Sequence, residues 1–149
     1  MVSNVIQREV LIDAPIERVW ALLTEPDHVA RWYASGGARV DLRPGGQLRV
    51  RWAEHGEFLG VIERVEPPRL FSFRLACEPD QVPAPGNATL VEFSLAPLGR
   101  ETRLTLLETG FAELDISPEE QAAYADSEGQ GWDSGLSSLR ALAKDRVTT

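Results

Sequence analysis

The spacing of hydrophobic positions changes twice along the chain, and each change marks a different kind of element. Val5 to Ile12 reads as a strand that ends at Asp13, after which Pro15 and Glu17 supply a first helical turn. Ile16, Val19, Trp20 and Leu23 then fall at i, i+3, i+4 and i+7, one face of a short helix. Thr24, Glu25 and Pro26 repeat the start signal and predict a second helix from Pro26 to Trp32, angled to the first. Such a pair is a connector packed on a sheet, with Trp20 pointing onto it.

From Ala38 the period becomes two. Six strands are predicted: Ala38 to Leu42, Gln47 to Ala53, Glu57 to Val65, Leu70 to Cys77, Thr89 to Ala96 and Thr102 to Glu108. The breaks are Pro44-Gly45-Gly46, His55-Gly56, Pro67-Pro68, the longer stretch Glu78 to Ala88, and Pro97-Leu98-Gly99. Several are short enough for hairpins, so the strands form an antiparallel meander. Leu48, Val50 and Trp52 share a face opposite Arg49 and Arg51, and Phe71, Phe73 and Leu75 share one on the strand two further on. Thr89, Val91, Phe93 and Leu95 alternate likewise, as do Leu104 and Leu106; one side of the sheet is apolar and the other wet. Arg51, Glu92 and Glu108 are expected to point outward.

Three-residue spacing returns at the end. Ser117 as N-cap, Pro118 at the first helical position and Glu120 in the capping-box place open a helix. Trp132, Leu136, Leu139 and Ala143 are its apolar stripe, ahead of a polar tail from Lys144 to Thr149. It should lie across the apolar sheet face. Gly129, Gly131 and Gly135 each cost about 1 kcal/mol against alanine, which makes a kink or break near Asp126 to Gly131 an expectation. Gly131 and Gly135 either leave space beneath the helix or let it approach closely.

Composition narrows the function. A chain of 149 residues is long enough to bury a core as one domain, 1–149. With 15 basic and 23 acidic residues the net charge is -8, spread along the sequence, which disfavours nucleic-acid and anionic-membrane partners. Cys77 is the only cysteine, and no run of about 20 apolar residues suggests membrane insertion. A cytoplasmic location is the expectation.

Several segments carry a family resemblance: Ala14-Pro15-Ile16-Glu17-Arg18-Val19-Trp20, Trp32, and Asp41-Leu42-Arg43-Pro44-Gly45-Gly46, followed by Gly60-Val61-Ile62 leading into Glu66-Pro67-Pro68-Arg69-Leu70, and Gly131-Trp132 with Leu136 and Leu139. In this order they resemble the START-like (SRPBCC) superfamily, and within it the branch named after the activator of heat-shock protein 90 ATPase homologue. The resemblance implies an α+β helix-grip fold, as in the birch-pollen allergen: a seven-stranded curved antiparallel sheet, two short helices and one long C-terminal helix. It also implies a cavity between that helix and the sheet, used across the superfamily for sterols, lipids, plant hormones and aromatic polyketides. The N-terminal domain through which full-length chaperone activators bind their partner is not expected here, which weakens the expectation of a cochaperone role.

Catalytic motifs are missing. There is no Gly-x-Ser-x-Gly elbow, phosphate loop, His-Glu-x-x-His or Cys-x-x-Cys. His28 and His55 read as exposed turn residues, and neither spacing nor location joins them to Cys77 as a metal set. No catalytic residue, metal or cofactor is therefore assigned. The candidate ligand-binding lining is Trp32, Leu48, Val50, Trp52, Phe58, Ile62, Phe71, Phe73, Val91, Phe93, Leu104, Leu106, Trp132 and Leu136. Trp32, Trp52 and Trp132 offer flat surfaces with an indole N–H as a polar handle, although large aromatics also fill any core of this size. The Glu78 to Ala88 stretch is either a lid over the cavity mouth or an ordinary surface loop.

The expected function is non-covalent binding of a small hydrophobic molecule, lipid-like or aromatic, by a monomer or homodimer. The first alternative is a cyclase- or hydrolase-like enzyme using the same cavity. Its mark would be a buried ionisable group with a shifted pKa, which the sequence does not display, so a non-catalytic role is favoured. The second is a stress or cochaperone-type interaction module, whose mark would be an apolar patch on the outer sheet face. Arg49, Arg51, Arg74, Glu92 and Arg103 at outward positions speak against that one.

Overall fold

The computed structural model describes residues 4–144. The chain runs β1 (Val5–Ile12), α1 (Ile16–Thr24), α2 (Pro26–Trp32), β2 (Gly37–Val40), β3 (Gln47–Trp52), β4 (Gly56–Glu66), β5 (Leu70–Ala76), β6 (Ala88–Leu98), β7 (Glu101–Thr109), a short 3-10 turn (Phe111–Glu113) and α3 (Pro118–Lys144). All seven strands form one antiparallel sheet in the order β1-β7-β6-β5-β4-β3-β2. This is the curved α+β helix-grip fold. Beyond Lys144, the expected polar tail lies outside the described residues.

Consecutive strands pair as a meander from β2 to β7, but β1 joins β7 at the opposite edge from β2. The chain between β1 and β2 must therefore cross the whole sheet, and α1 and α2 make that crossing. Val19, Leu22, Leu23, Val29 and Trp32 turn inward as it does so. Trp20 is half-buried and meets Phe71 edge-on at 6.2 Å. Turn chemistry holds the meander in register. Beside the β2–β3 turn, a Cβ on Gly46 would lie 2.0 Å from the Asp41 carbonyl oxygen, so no side chain fits.

The last helix starts with a reciprocal capping box. Ser117 Oγ accepts from the Glu120 N–H at 3.1 Å, and Glu120 Oε1 accepts from the Ser117 N–H at 3.2 Å. From there α3 runs unbroken for 27 residues, about 40 Å at the α-helical rise. The break expected near Asp126 to Gly131 is absent. Tertiary packing outweighs glycine's propensity cost: a Cβ on Gly129 would lie 3.1 Å from an Arg8 guanidinium nitrogen and 4.0 Å from Ile6. Arg8 also donates to Asp133 at 2.6 Å, pinning the middle of α3 to β1. On the outer sheet face Arg49 pairs with Glu57, Arg74 with Glu63 and Arg103 with Glu9, so charge covers that side. No described helix is long and apolar enough to cross a membrane.

Candidate functional site

Between α3, the end of α2 and the near ends of β3, β4 and β5 lies an open cavity of about 470 Å³. Trp32 and Tyr33 enter from the end of α2, Trp52, His55 and Phe58 from the β3–β4 hairpin, and Leu75 and Cys77 from the end of β5. The roof is one stripe of α3: Tyr124, Ser127, Glu128, Gly131, Trp132, Ser134, Gly135 and Ser138. The two roof glycines behave differently. A Cβ on Gly131 would meet nothing within 4 Å, whereas one on Gly135 would touch the Trp32 ring at 3.8 Å. Gly131 opens onto the cavity and Gly135 closes against its wall.

Five of the rings that wall this space contact one another. Tyr33 stacks on Trp132 at 5.1 Å and an interplanar angle of 6°, meets Trp52 edge-on at 5.1 Å, and lies 5.2 Å from Trp32. Trp52 meets Phe58 edge-on at 5.4 Å. Their polar tips are already used. Trp32 Nε1 donates to the Leu22 carbonyl at 2.7 Å, Trp52 Nε1 to the Tyr33 carbonyl at 2.7 Å, and Trp132 Nε1 to Glu108 Oε1 at 2.7 Å. The indoles therefore give a ligand surface but not the polar handle expected of them, because each N–H fixes its ring instead.

Glu108 corrects another expectation. Far from pointing outward, it is fully buried, with Thr89 Oγ1 donating to its Oε2 at 2.6 Å. Leu104 and Leu106 share its parity on β7, so strict alternation turns all three inward. Glu92 and Arg51 keep outward parity, the first half-buried and the second exposed. Across the gap, the Glu128 carboxyl on α3 hydrogen-bonds Glu108. Burial pushes the Glu128 carboxyl well above the usual range, and the neighbouring Glu108 charge pushes it further. Glu108 is also raised by burial, but hydrogen bonds from Thr89, Trp132 and Glu128 pull it back. The two carboxyls titrate as a pair, and burial together with their mutual repulsion favours a proton shared within it.

The polar chain extends further. Tyr124, one turn before Glu128, lies close enough to Glu128 and Cys77 to influence both. Burial raises the Tyr124 phenol, as does the Glu128 charge, and burial pushes the Cys77 thiol up to about 11. The Tyr33 phenol is likewise raised, by burial first and then by the charges of Glu128 and Glu108. Cys77 is thus a protonated, unreactive thiol at neutral pH. Chemically, the site is an aromatic box with one carboxyl, raised by burial, at its wall beside tyrosine and serine hydroxyls. Among the described residues neither Glu108 nor Glu128 has a basic ion-pair partner, and no cluster of three or more histidine, cysteine, aspartate or glutamate side chains is disposed to hold a metal.

Of the fourteen residues read from the sequence as lining, Trp32, Trp52, Phe58 and Trp132 border this cavity. Leu48, Val50, Ile62, Phe71, Phe73, Val91, Phe93, Leu104, Leu106 and Leu136 instead pack on one another in the core, each at most 3% exposed. His55 is exposed, at the cavity mouth. His28 is not the exposed turn residue expected: its side chain is 17% exposed, and its Nδ1 is buried without a hydrogen-bond partner. Tyr33, Leu75, Cys77, Tyr124, Ser127 and Glu128 entered the site unforeseen. A signal for part of it was present, since Tyr124, Glu128, Gly131, Gly135 and Ser138 fall at helical spacing beside the Trp132 stripe. The Glu78 to Ala88 loop borders a separate cleft of about 330 Å³, which shares Cys77 and Tyr124 with the first.

Known proteins give the same picture of the fold. Protein MLL2253 of Mesorhizobium loti superposes with a TM-score of 0.78 at 21% identity, covering 95% of this chain and 98% of its own. The Aha1 dimer of Colwellia psychrerythraea gives a TM-score of 0.77 at 15% identity, covering 96% and 98%. CalU16 of Micromonospora echinospora gives 0.69 at 25% identity, covering 97% and 78%. No curated protein sequence gives a significant match. The sequence profile for the activator of Hsp90 ATPase homolog 1-like proteins matches residues 13–144, and the chain belongs to that family.

Proposed function

We propose that this domain binds a small, largely apolar molecule with a flat ring system, non-covalently, under α3. The observation that carries the reading is the cavity of about 470 Å³ walled by Trp32, Tyr33, Trp52, Phe58 and Trp132. That volume falls within the roughly 300–1,000 Å³ of small-molecule sites. Binding energy would come from buried ligand area at roughly 25 cal/mol per Å², with the rings held in place beforehand by their N–H bonds. Native mass spectrometry of the freshly purified protein, set against its denatured mass, tests this. The reading predicts an excess mass that is lost on denaturation and absent from Gly131→Leu, whose side chain projects into the space and obstructs it. An excess mass retained in that variant would place the ligand elsewhere.

Catalysis in the same cavity is the second reading, favoured by the Glu128 carboxyl at the wall, which burial and the neighbouring Glu108 raise well above the usual range. Comparing the captured molecule before and after incubation separates the two. Carriage returns it unchanged, whereas catalysis returns a new mass in the wild type and not in Glu128→Gln.

A further inference from the structure

We propose that the cavity selects a ligand bearing a protonated amine, with the ammonium against Glu128 and the apolar body against the aromatic wall. The inference rests on the small-molecule reading above and adds the sign of charge on the ligand's head. The lining contains Glu128, with Glu108 directly behind it, and neither lysine nor arginine. A carboxylate or phosphate head would enter a space whose lining offers neither lysine nor arginine as a counter-charge, beside two acidic side chains. All three indole N–H groups are engaged with protein acceptors, so the tryptophan rings offer a ligand no donor.

An ammonium fits both deficits. It brings three donors and no acceptor, and the roof offers acceptors in Glu128, Tyr124, Ser127 and Ser134. Its charge is of the sign that aromatic rings attract, and Tyr33, Trp52 and Trp132 stand together at the same end of the space. Glu128 is faced by Glu108 from β7, Tyr124 on its own helix, Cys77 at the end of β5 and Tyr33 after α2. None of these supplies a positive charge. The nearest lining group able to do so is His55, exposed at the mouth. A cation from the ligand would be the ion-pair partner that Glu128 lacks among the described residues.

The test is calorimetry at neutral pH with three probes on one ring system: naphthylmethylamine, naphthylmethanol and naphthylacetate. The expected order is amine, alcohol, carboxylate, with about tenfold between the first two, or ~1.4 kcal/mol. Glu128→Gln keeps the shape but cannot ionise, so the ratio of amine to alcohol affinity should fall toward one. If that variant does not fold, Glu108→Gln, which removes the other carboxylate of the pair, should lower the same ratio. An amine that binds no tighter than the alcohol overturns the inference while leaving the small-molecule reading in place. A preference for the amine that survives both variants overturns the role of the glutamate pair. Failure of all three probes to bind overturns both readings together.

Discussion

One sheet face and one helix enclose two regions that differ in almost every respect. Under α1, α2 and β3 to β6, Leu23, Val29, Leu48, Val50, Phe71, Phe73 and Phe93 close on one another and leave a gap of about 10 Å³, room for a water molecule at most. Beside them, beneath the middle of α3, the gap is about 470 Å³. The difference lies in what the helix contributes. Leu136, Leu139 and Ala143 are buried in the core cluster, whereas Ser127, Gly131 and Ser134 line the open region with side chains too short to fill it. The open region also carries the polar groups: Glu108, Glu128, Tyr124 and Cys77 are linked there, while the closed region has almost none. A space that is unfilled, walled by rings and wired with carboxyls has a chemical use that a packed core lacks.

Breaking the closed region should cost most. Phe71→Ala removes a ring that is 2% exposed and should lose about 3–5 kcal/mol in denaturant unfolding. A loss under about 1 kcal/mol would mean that this half is no tighter than the other. Trp132 belongs to both regions, and Trp132→Phe isolates its bond to Glu108. Leaving Oε1 of a buried carboxyl without its donor should cost about 1–3 kcal/mol by the same measurement.

The glutamate pair makes a smaller, pH-dependent difference. Below about pH 4 both the folded and the unfolded chain hold the Glu128 proton. As pH rises, the unfolded chain releases it while the folded chain keeps it, so the wild type loses stability relative to Glu128→Gln until Glu128 itself ionises. Unfolding measured from about pH 4 to about pH 8 should show that difference widening with pH. A constant difference would show that Glu128 titrates like a surface carboxylate. Smallest of all, Gly131→Ala should gain up to about 1 kcal/mol, because helix propensity improves and the new methyl meets nothing within 4 Å.

The closed region was far more legible in the sequence than the open one. Alternation named Leu48, Val50, Phe71, Phe73, Val91 and Phe93, and Ser117, Pro118 and Glu120 marked the start of α3. Strand ends moved by only one or two residues, as at β2, read as Ala38 to Leu42 and found as Gly37–Val40. Glu108 was misread although its parity with Leu106 pointed inward, since a carboxylate near a strand end invites an outward placement. Its burial depends on donors from Thr89 and Trp132, which lie 19 and 24 positions away. The open region has no periodic signature because it is defined by what does not fill it. Whether Gly131 faces space or a neighbour is decided by the path of α3 over Trp32, which only the assembled fold sets.

The measurement that bears most directly on an open region built for a ligand is calorimetric titration of naphthylmethanol into the wild type, Gly131→Leu and Phe71→Ala, with the melting temperature of each. The account predicts one site in the wild type, none in Gly131→Leu at an undiminished melting temperature, and the reverse in Phe71→Ala, which keeps binding wherever it is folded but melts much lower. Unchanged binding in Gly131→Leu, or a melting temperature that falls as far there as in Phe71→Ala, would contradict it.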